Sequence, residues 1–185
     1  MLDRESILKA LSTLSDLLQQ QDIVGEINIL GGTAMVLGFR ARQATKDVDA
    51  IFAPAQAIRR AAAQVADQLN LPQSWLNDAA KGYLSPTGDF RRLAGLELPN
   101  LRIQVPTPQY MLAMKVMAAR IGMAGERGDK EDIAFLIRLL GLRDTRNVMA
   151  IVERYYQPPQ ILPKSSYLVD EIMEEMAKDD DNGEP

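Results

Sequence analysis

Two acidic side chains two positions apart, Asp47 and Asp49, are the residues of this sequence best suited to bind a metal ion. The run Asp47-Val48-Asp49-Ala50-Ile51-Phe52 alternates between polar and apolar residues, which predicts a strand that stops at Pro54. Residues two apart in a strand point to the same face. We therefore expect both carboxylates to converge on one hard cation such as Mg²⁺.

A glycine-rich turn, Gly31-Gly32-Thr33, precedes this acidic strand. It follows a predicted strand, Glu26 to Leu30, and opens a predicted short helix from Thr33 to about Phe39. Glycines leave backbone amides accessible, and the unpaired N–H groups at the start of a helix stabilise an anionic phosphate. The sequence thus predicts a phosphate and its metal in one pocket.

The residue types that are absent from the sequence limit which catalytic groups and metal ligands it can supply. The chain has no cysteine and no histidine, which excludes disulfides, thiolate sites, cysteine nucleophiles and histidine bases. Carboxylates, hydroxyls, lysine and backbone amides remain, and they favour magnesium over zinc or copper. The net charge of −4 argues against broad coating of nucleic acid, but leaves a local basic patch open.

Helices and strands are predicted to position these residues in an α+β protein. The 185 residues, 46% hydrophobic and 25% charged, suffice for one main domain with two lobes. Two further strands are expected, Arg91 to Leu96 and Leu101 to Val105, and a glycine-containing loop from Gly125 to Gly128. Helices are predicted at Asp3 to Gln20 with Asp3 as N-cap, Ala55 to Leu69, Pro108 to about Gly122, Lys130 to Leu140, Asp144 to Tyr156 and Tyr167 to Lys178.

The domain organisation follows from the order of these elements. We expect a strand-rich core over residues 1–107, a helical C-terminal lobe over 108–178 and a disordered acidic tail over 179–185. No window approaches the roughly 18 apolar residues of a membrane span, and the N-terminus lacks the basic-then-apolar order of a signal peptide. A cytoplasmic protein without membrane contact is expected.

The motifs together resemble a known superfamily. Leu30-Gly31-Gly32-Thr33-Ala34-Met35 with Asp47-Val48-Asp49 resembles the glycine-rich turn and Asp-x-Asp strand of DNA polymerase β-like nucleotidyltransferases. The resemblance is closest to AbiEii-type and related minimal nucleotidyltransferases of prokaryotic toxin-antitoxin systems. Lys115 and Arg120, followed by Asp129-Lys130-Glu131-Asp132, resemble a second helix-pair motif of the same group, so the likeness covers roughly residues 25–142.

The resemblance implies a nucleotidyltransferase-like mixed β-sheet flanked by helices, with a helical C-terminal lobe. It implies magnesium-dependent transfer of an NMP group from a nucleoside triphosphate to a hydroxyl, such as the 3′ end of tRNA or a protein side chain. A cognate antitoxin protein is an implied partner. The implied roles are nucleotide binding for Gly31, Gly32, Thr33 and Lys115, metal binding for Asp47 and Asp49, and a catalytic part for Asp47, Asp49, Lys115 and Asp132.

One departure from the family pattern concerns a third carboxylate that many members carry on a later strand. That strand here is Leu101-Arg102-Ile103-Gln104-Val105, where Gln104 supplies no charge. Glu97 or Asp132 could substitute. The alternative is a catalytically silent nucleotidyltransferase-like binding protein, and a purely structural helical adaptor would bind no triphosphate at all.

Each motif taken alone also has an ordinary structural explanation. A lone glycine pair is more typical of a simple strand-to-helix turn, and two aspartates of a solvated edge strand. Lys115 alone could be a surface lysine, and its acidic neighbours surface ion pairs. Arg40, Arg42 and Lys46 could contact triphosphate or an RNA acceptor, although a solvated loop is the commoner role for any one of them. The joint order of the motifs favours the functional interpretation.

Overall fold

The computed structural model describes residues 1–78, 82, 84–119 and 126–181. The chain packs as two compact units. Unit 1 comprises Met1–Gly82 and Phe90–Pro106, and unit 2 comprises Tyr83–Asp89 and Thr107–Pro185. The domain boundaries drawn from the sequence stay predictions.

Unit 1 is built on a mixed five-stranded sheet. Its strands are β2 (Gly25–Ile29), β4 (Val48–Ala53), β5 (Leu76–Asn77), β6 (Phe90–Arg92) and β7 (Leu101–Pro106). Their order in the sheet is β5-β4-β2-β7-β6. Its helices are α1 (Arg4–Gln19), α2 (Gly31–Leu37) and α3 (Ala55–Leu69). β2 pairs antiparallel with β4 and parallel with β7. The predicted mixed sheet flanked by helices is therefore confirmed.

A second, two-stranded sheet joins the start of the chain to the segment before β4. In this sheet β1 (Leu2–Asp3) pairs antiparallel with β3 (Ala44–Thr45). Strands of two residues show no alternation in sequence, and the sequence analysis missed both of them. This small sheet fixes the position of the residues that lead into the acidic strand.

Local signals in the sequence explain where two helices of unit 1 begin and end. The Asp3 side chain accepts a hydrogen bond of 2.8 Å from the Ser6 backbone N–H, which is the N-cap predicted for α1. α3 begins after Pro54 and ends at Asn70, which adopts the left-handed conformation of a helix C-cap. The predicted span of α3, Ala55 to Leu69, is confirmed.

Alternation along the strands gives the five-stranded sheet one apolar face and one polar face. α1 and α3 pack together and against strands of this sheet, and their inward residues are buried. The buried positions that alternate along the three central strands are Gly25, Ile27, Ile29, Val48, Ala50, Phe52, Leu101, Ile103 and Val105, and Pro106 at the end of β7 is buried as well. The intervening positions include polar residues that remain partly or fully exposed, and Asp49 is one of them.

Unit 2 is helical, as expected for the C-terminal lobe. It contains α4 (Pro108–Ala118), α5 (Glu126–Leu139), α6 (Thr145–Tyr155), a short 3₁₀ turn (Pro158–Gln160) and α7 (Pro163–Asp181). α4 packs against α5, α6 and α7. The buried apolar residues that line these contacts include Tyr110, Met111, Met114, Ile133, Leu136, Val148, Val152 and Ile172.

Several predicted boundaries differ from the structure. Gly128, expected in a loop, lies inside α5, where burial of Ile133 and Leu136 outweighs the roughly 1 kcal/mol cost of a helical glycine. The strand predicted from Arg91 to Leu96 is limited to β6, because the chain turns before Leu96 at Gly95 with φ 75°.

The final helix is also longer than predicted. α7 starts at Pro163, a residue type favoured in a first helical turn, and continues through Asp181, so part of the predicted disordered tail is helical. α4 ends at Ala118, four residues before the predicted end near Gly122, because the backbone is already extended at Ala119. The start of the predicted loop at Gly125 and residues 182–185 lie outside the described residues. In the part of the chain that the structure describes, no helix is long and apolar enough to cross a membrane.

Candidate active site

The carboxylate of Asp49 lies against the glycine turn. Gly31 opens α2 with φ 54°, a left-handed conformation that favours glycine. A Cβ atom placed on Gly31 would lie 2.9 Å from Oδ2 of Asp49. The backbone N–H of Leu30 donates a hydrogen bond of 2.8 Å to the Asp49 carbonyl, which ties the turn to β4. A glycine is therefore needed at position 31 for both conformation and space, and a carboxylate occupies the space beside it.

Asp47 lies one residue before β4 rather than within it. Val48 and Ala50 are buried, whereas Asp47 and Asp49 are both partly exposed. The alternation seen in β4 therefore extends back to Asp47, and it places the two aspartates on the side opposite the apolar core. This is the arrangement on which the predicted metal site depends.

Thr33 connects the glycine turn to Asp47 from inside the protein. Its side chain is fully buried, and its hydroxyl Oγ1 donates a hydrogen bond of 2.8 Å to the backbone carbonyl of Asp47. This bond fixes the backbone from which the Asp47 carboxylate extends. The contact between Thr33 and phosphate that the resemblance implies stays a prediction.

Gly32 is enclosed by residues that the sequence analysis did not connect to the turn. A Cβ atom on Gly32 would lie 2.6 Å from Oγ1 of Thr45 and 3.7 Å from Nη1 of Arg42. Thr45 belongs to β3, so the two-stranded sheet packs directly beside the turn. Nothing in the sequence periodicity of the segment from Arg42 to Asp47 indicates this contact.

The polar face of the five-stranded sheet carries amides next to Asp49. Asp49 is paired with Asn77 on β5, and Asn28 on β2 is paired with both Ile51 and Gln104. Since paired residues and residues two apart share a face, Asn28, Gln104 and Asn77 lie on the Asp49 face. Gln104 lies on the strand where the family pattern would place a third carboxylate, and its side chain is exposed and neutral.

Glu97 is poorly placed to replace that acid. Its side chain is 88% exposed, and its Oε1 lies 4.0 Å from Nη2 of Arg92 on β6. In the strand order, β6 is separated from β4 by β7 and β2. At about 4.8 Å per strand the distance from β6 to β4 is about 14 Å. Glu97 and Asp49 therefore do not share one ion in this arrangement.

Lys115, on α4 of unit 2, forms ion pairs with two aspartates of α5. Its Nζ lies 2.9 Å from Oδ1 of Asp129 and 2.6 Å from Oδ2 of Asp132. The side chains of Lys115 and Asp132 are only 10% and 3% exposed. The two carboxylates thus neutralise the lysine charge within the helical unit, where an unpaired charge would be costly. Arg120, the remaining residue of this motif, lies outside the described residues.

The carboxylate oxygens of Asp47 and Asp49 are suitable ligands for a magnesium ion that is bound together with phosphates. Among the described residues, no group of three or more acidic, histidine or cysteine side chains could hold a metal ion. Mg²⁺ commonly uses one or two carboxylates, while waters and substrate phosphates complete its coordination. Asp47 and Asp49 match that pattern rather than an all-protein cage.

The mixed sheet, the glycine turn and the adjoining Asp-x-Asp segment define a nucleotidyltransferase-like protein of the α+β class. The chain belongs to the family described as nucleotidyltransferase of unknown function (DUF6036), which matches residues 5–155. A crystal structure of an antigenic nucleotidyltransferase-like protein from Paracoccidioides brasiliensis is similar, with 16% sequence identity, a TM-score of 0.48 and coverage of 90% of this chain and 94% of that one. No curated protein matches the chain.

Proposed function

We propose that this protein transfers an NMP group from a nucleoside triphosphate to a hydroxyl group of an acceptor. The observation that carries the proposal is the Asp49 carboxylate, whose Oδ2 lies 2.9 Å from the Cβ position of a left-handed Gly31. This arrangement supports the proposal, because a carboxylate oxygen lies beside backbone that a phosphate can approach closely. Membership of a family described as nucleotidyltransferases supports the same class of reaction.

The proposed roles follow from this arrangement. Asp47 and Asp49 would hold Mg²⁺, and the bound ion would supply positive charge that neutralises the triphosphate. Gly31 and Gly32 admit the phosphate to the backbone, and Thr33 holds the carbonyl of Asp47 in place. The parts of Lys115 and Asp132 in nucleotide binding rest on the resemblance of their motif.

The acceptor and the biological setting rest on the motif resemblance as well. We assign the acceptor to a hydroxyl at the 3′ end of tRNA or on a protein side chain. The same resemblance to AbiEii-type enzymes favours a toxin that is neutralised by a cognate antitoxin protein. The amides that share the Asp49 face, Asn28, Asn77 and Gln104, offer neutral hydrogen-bonding groups to such an acceptor.

Replacing Asp49 with asparagine tests the proposal, because Asn keeps the shape and removes the charge. Wild type and Asp49→Asn are incubated with Mg²⁺, total RNA and each of the four labelled triphosphates. We expect transfer of label to fall at least about 100-fold in the variant, with an unchanged urea midpoint. Asp16→Asn, an exposed aspartate on α1, is the matched control and keeps full transfer. Equal labelling by wild type and Asp49→Asn would refute the assignment.

A second candidate function is favoured by Gln104, which supplies no charge on the strand where many members of the resembled superfamily carry a third acid. In this case the protein binds the triphosphate with Mg²⁺ but does not turn it over. Calorimetry would then record magnesium-dependent triphosphate binding that Asp49→Asn removes, with no labelled product from any RNA or protein acceptor. Labelled product that depends on Asp49 would exclude this candidate.

A further inference from the structure

A cavity of about 460 Å³ opens in unit 1 between the start of α1 and the segment that follows α2. It is lined by Asp3, Arg4, Glu5, Val36, Arg40, Arg42 and Gln43. Three arginines and two carboxylates line this space, which leaves one positive charge in excess. The charge of the cavity therefore favours an anion.

Strand pairing and a side-chain hydrogen bond connect the walls of the cavity. Asp3 is paired with Ala44 in the two-stranded sheet, which joins the start of α1 to the segment that carries the arginines. Nη1 of Arg4 donates a hydrogen bond of 3.1 Å to the carbonyl of Leu37 at the end of α2. The hydrogen bond from the Ser6 N–H lowers the pKa of Asp3 and commits an oxygen of that carboxylate to the helix cap. Glu5, the other acidic residue that lines the cavity, is exposed and does not cap the helix.

Arg40 is held in a backbone conformation that its side chain does not favour. Its φ is 55°, in the left-handed region. The other non-glycine residues with positive φ in the described part of the chain are Asp22 and Asn70. Asp and Asn adopt the left-handed conformation readily, whereas an arginine adopts it only at a cost in conformational energy. Retention of strain at Arg40 points to a use for its side chain rather than for its backbone.

Arg42 connects the cavity to the candidate active site. It lines the cavity, and its Nη1 lies 3.7 Å from the Cβ position of Gly32. Oδ2 of Asp49 lies 2.9 Å from the Cβ position of the neighbouring Gly31. A ligand in the cavity would therefore lie next to the same glycine turn that borders the metal-binding carboxylate.

We propose that this space, which we name the arginine cavity, binds a phosphate group of one of the two substrates. A guanidinium group presents a planar fork of N–H donors that matches phosphate oxygens. The phosphate belongs either to the tail of the nucleoside triphosphate or to the backbone of an RNA acceptor. The assignment to a substrate rests on the proposed function, whereas the binding of phosphate does not.

The test uses Arg40→Asn, which removes the charge and suits the left-handed backbone, so the variant is expected to fold. Arg60→Asn, at an exposed position of α3 outside the cavity, is the matched control. Binding of inorganic triphosphate with Mg²⁺ is measured by calorimetry, and binding of a short single-stranded RNA by fluorescence anisotropy. We expect Arg40→Asn to weaken one of them about tenfold or more, while Arg60→Asn leaves both unchanged.

The two probes identify the source of the phosphate. Weaker triphosphate binding assigns the cavity to the nucleotide, whereas weaker RNA binding, with a salt slope reduced by about one, assigns it to the acceptor. Unchanged binding of both probes, or wild-type protein that binds neither, would overturn the proposal. Because neither measurement needs turnover, a loss of binding in Arg40→Asn together with no transfer by wild type would sink the proposed function and leave the arginine cavity in place.

Discussion

Unit 1 and unit 2 each contain a pair of aspartates, and the two pairs are used in opposite ways. Asp47 and Asp49 are partly exposed and border a glycine turn. Asp129 and Asp132 close on the ammonium group of Lys115, with Asp132 almost fully buried. The first pair is partly exposed beside two small residues, whereas the second pair contacts a buried lysine of the same unit.

The difference lies in the neighbours rather than in the acids. Glycines at 31 and 32 remove side chains that would fill the space beside Asp49 and Thr45. On α5 the aspartates three apart lie on one face of the helix, where a single lysine of α4 reaches both. Carboxylates beside glycines have room for a bound cation, whereas carboxylates that contact a buried lysine prevent its charge from being left unpaired.

The largest expected effect is on unit 2. Lys115→Met would leave Asp132 buried without its cation, and we expect the free energy of unfolding to fall by about 3 to 5 kcal/mol. Urea denaturation measures the loss. Lys130→Met is a matched control in the same unit, because Lys130 also contacts two carboxylates, those of Glu171 and Glu175, but its side chain is 23% exposed and both glutamates are exposed.

The control is expected to lose about 1 kcal/mol or less. Similar losses for the two lysine variants would show that burial does not distinguish their ion pairs. A Lys115→Met protein that is as stable as wild type but fails to bind triphosphate would show instead that Lys115 acts on the ligand. The two aspartate pairs would then not differ in role, because the lysine between Asp129 and Asp132 would also serve the ligand.

The next effect concerns the space beside Asp49. Gly31→Ala adds a Cβ atom 2.9 Å from Oδ2 of Asp49, at a residue with φ 54°. Gly95→Ala is matched in conformation, with φ 75°, but has no atom within 4 Å of the new Cβ. Both variants should lose about 1 to 2 kcal/mol of stability from the backbone strain. Only Gly31→Ala should also lose magnesium-dependent triphosphate binding, measured by calorimetry.

Equal triphosphate binding by the Gly31→Ala and Gly95→Ala proteins would show that the contact between the turn and the carboxylate has no part in the site. A greater loss of stability in Gly31→Ala than in Gly95→Ala would measure the cost of displacing Asp49. Urea denaturation of the two variants separates this cost from the conformational strain that they share.

The smallest effect concerns the buried hydroxyl that supports Asp47. Thr33→Val keeps the shape and removes the hydrogen bond to the Asp47 carbonyl, at a cost of about 1 kcal/mol. We expect the Mg²⁺ concentration for half-maximal transfer to rise in Thr33→Val and to return to the wild-type value in Thr33→Ser. A rise in KM for the nucleotide at saturating Mg²⁺, without a change in the Mg²⁺ requirement, would support a direct contact with phosphate instead.

Local signals made some elements predictable from the sequence. The cap at Asp3 fixed the start of α1, and Pro54 and Asn70 bounded α3. The glycine turn and the acidic strand were recognised because strand alternation and a glycine pair leave marks within a few residues. The start of α2 at Gly31 and the start of β4 after Asp47 differ from the prediction by one or two residues.

Non-local contacts were not predictable in the same way. The pairing of Leu2 with Thr45, and the packing of Thr45 on Gly32, join segments that show no shared pattern. The hydrogen bond from Thr33 to the Asp47 carbonyl could not be predicted either, because the sequence around a threonine in a short helix does not indicate which group its hydroxyl contacts. Lys115 and the two aspartates were noted as a motif, but their enclosure depends on the packing of α4 against α5.

The central strand β2 receives its two neighbours at very different times during synthesis. Glu26 meets Ala53 on β4 soon after it leaves the ribosome, but its partner on β7 is Arg102. Until β7 arrives, one edge of β2 presents unpaired N–H and C=O groups that can recruit a strand from another molecule. A nascent or truncated chain that stops before β7 would therefore carry the glycine turn and both aspartates on an aggregation-prone half-sheet.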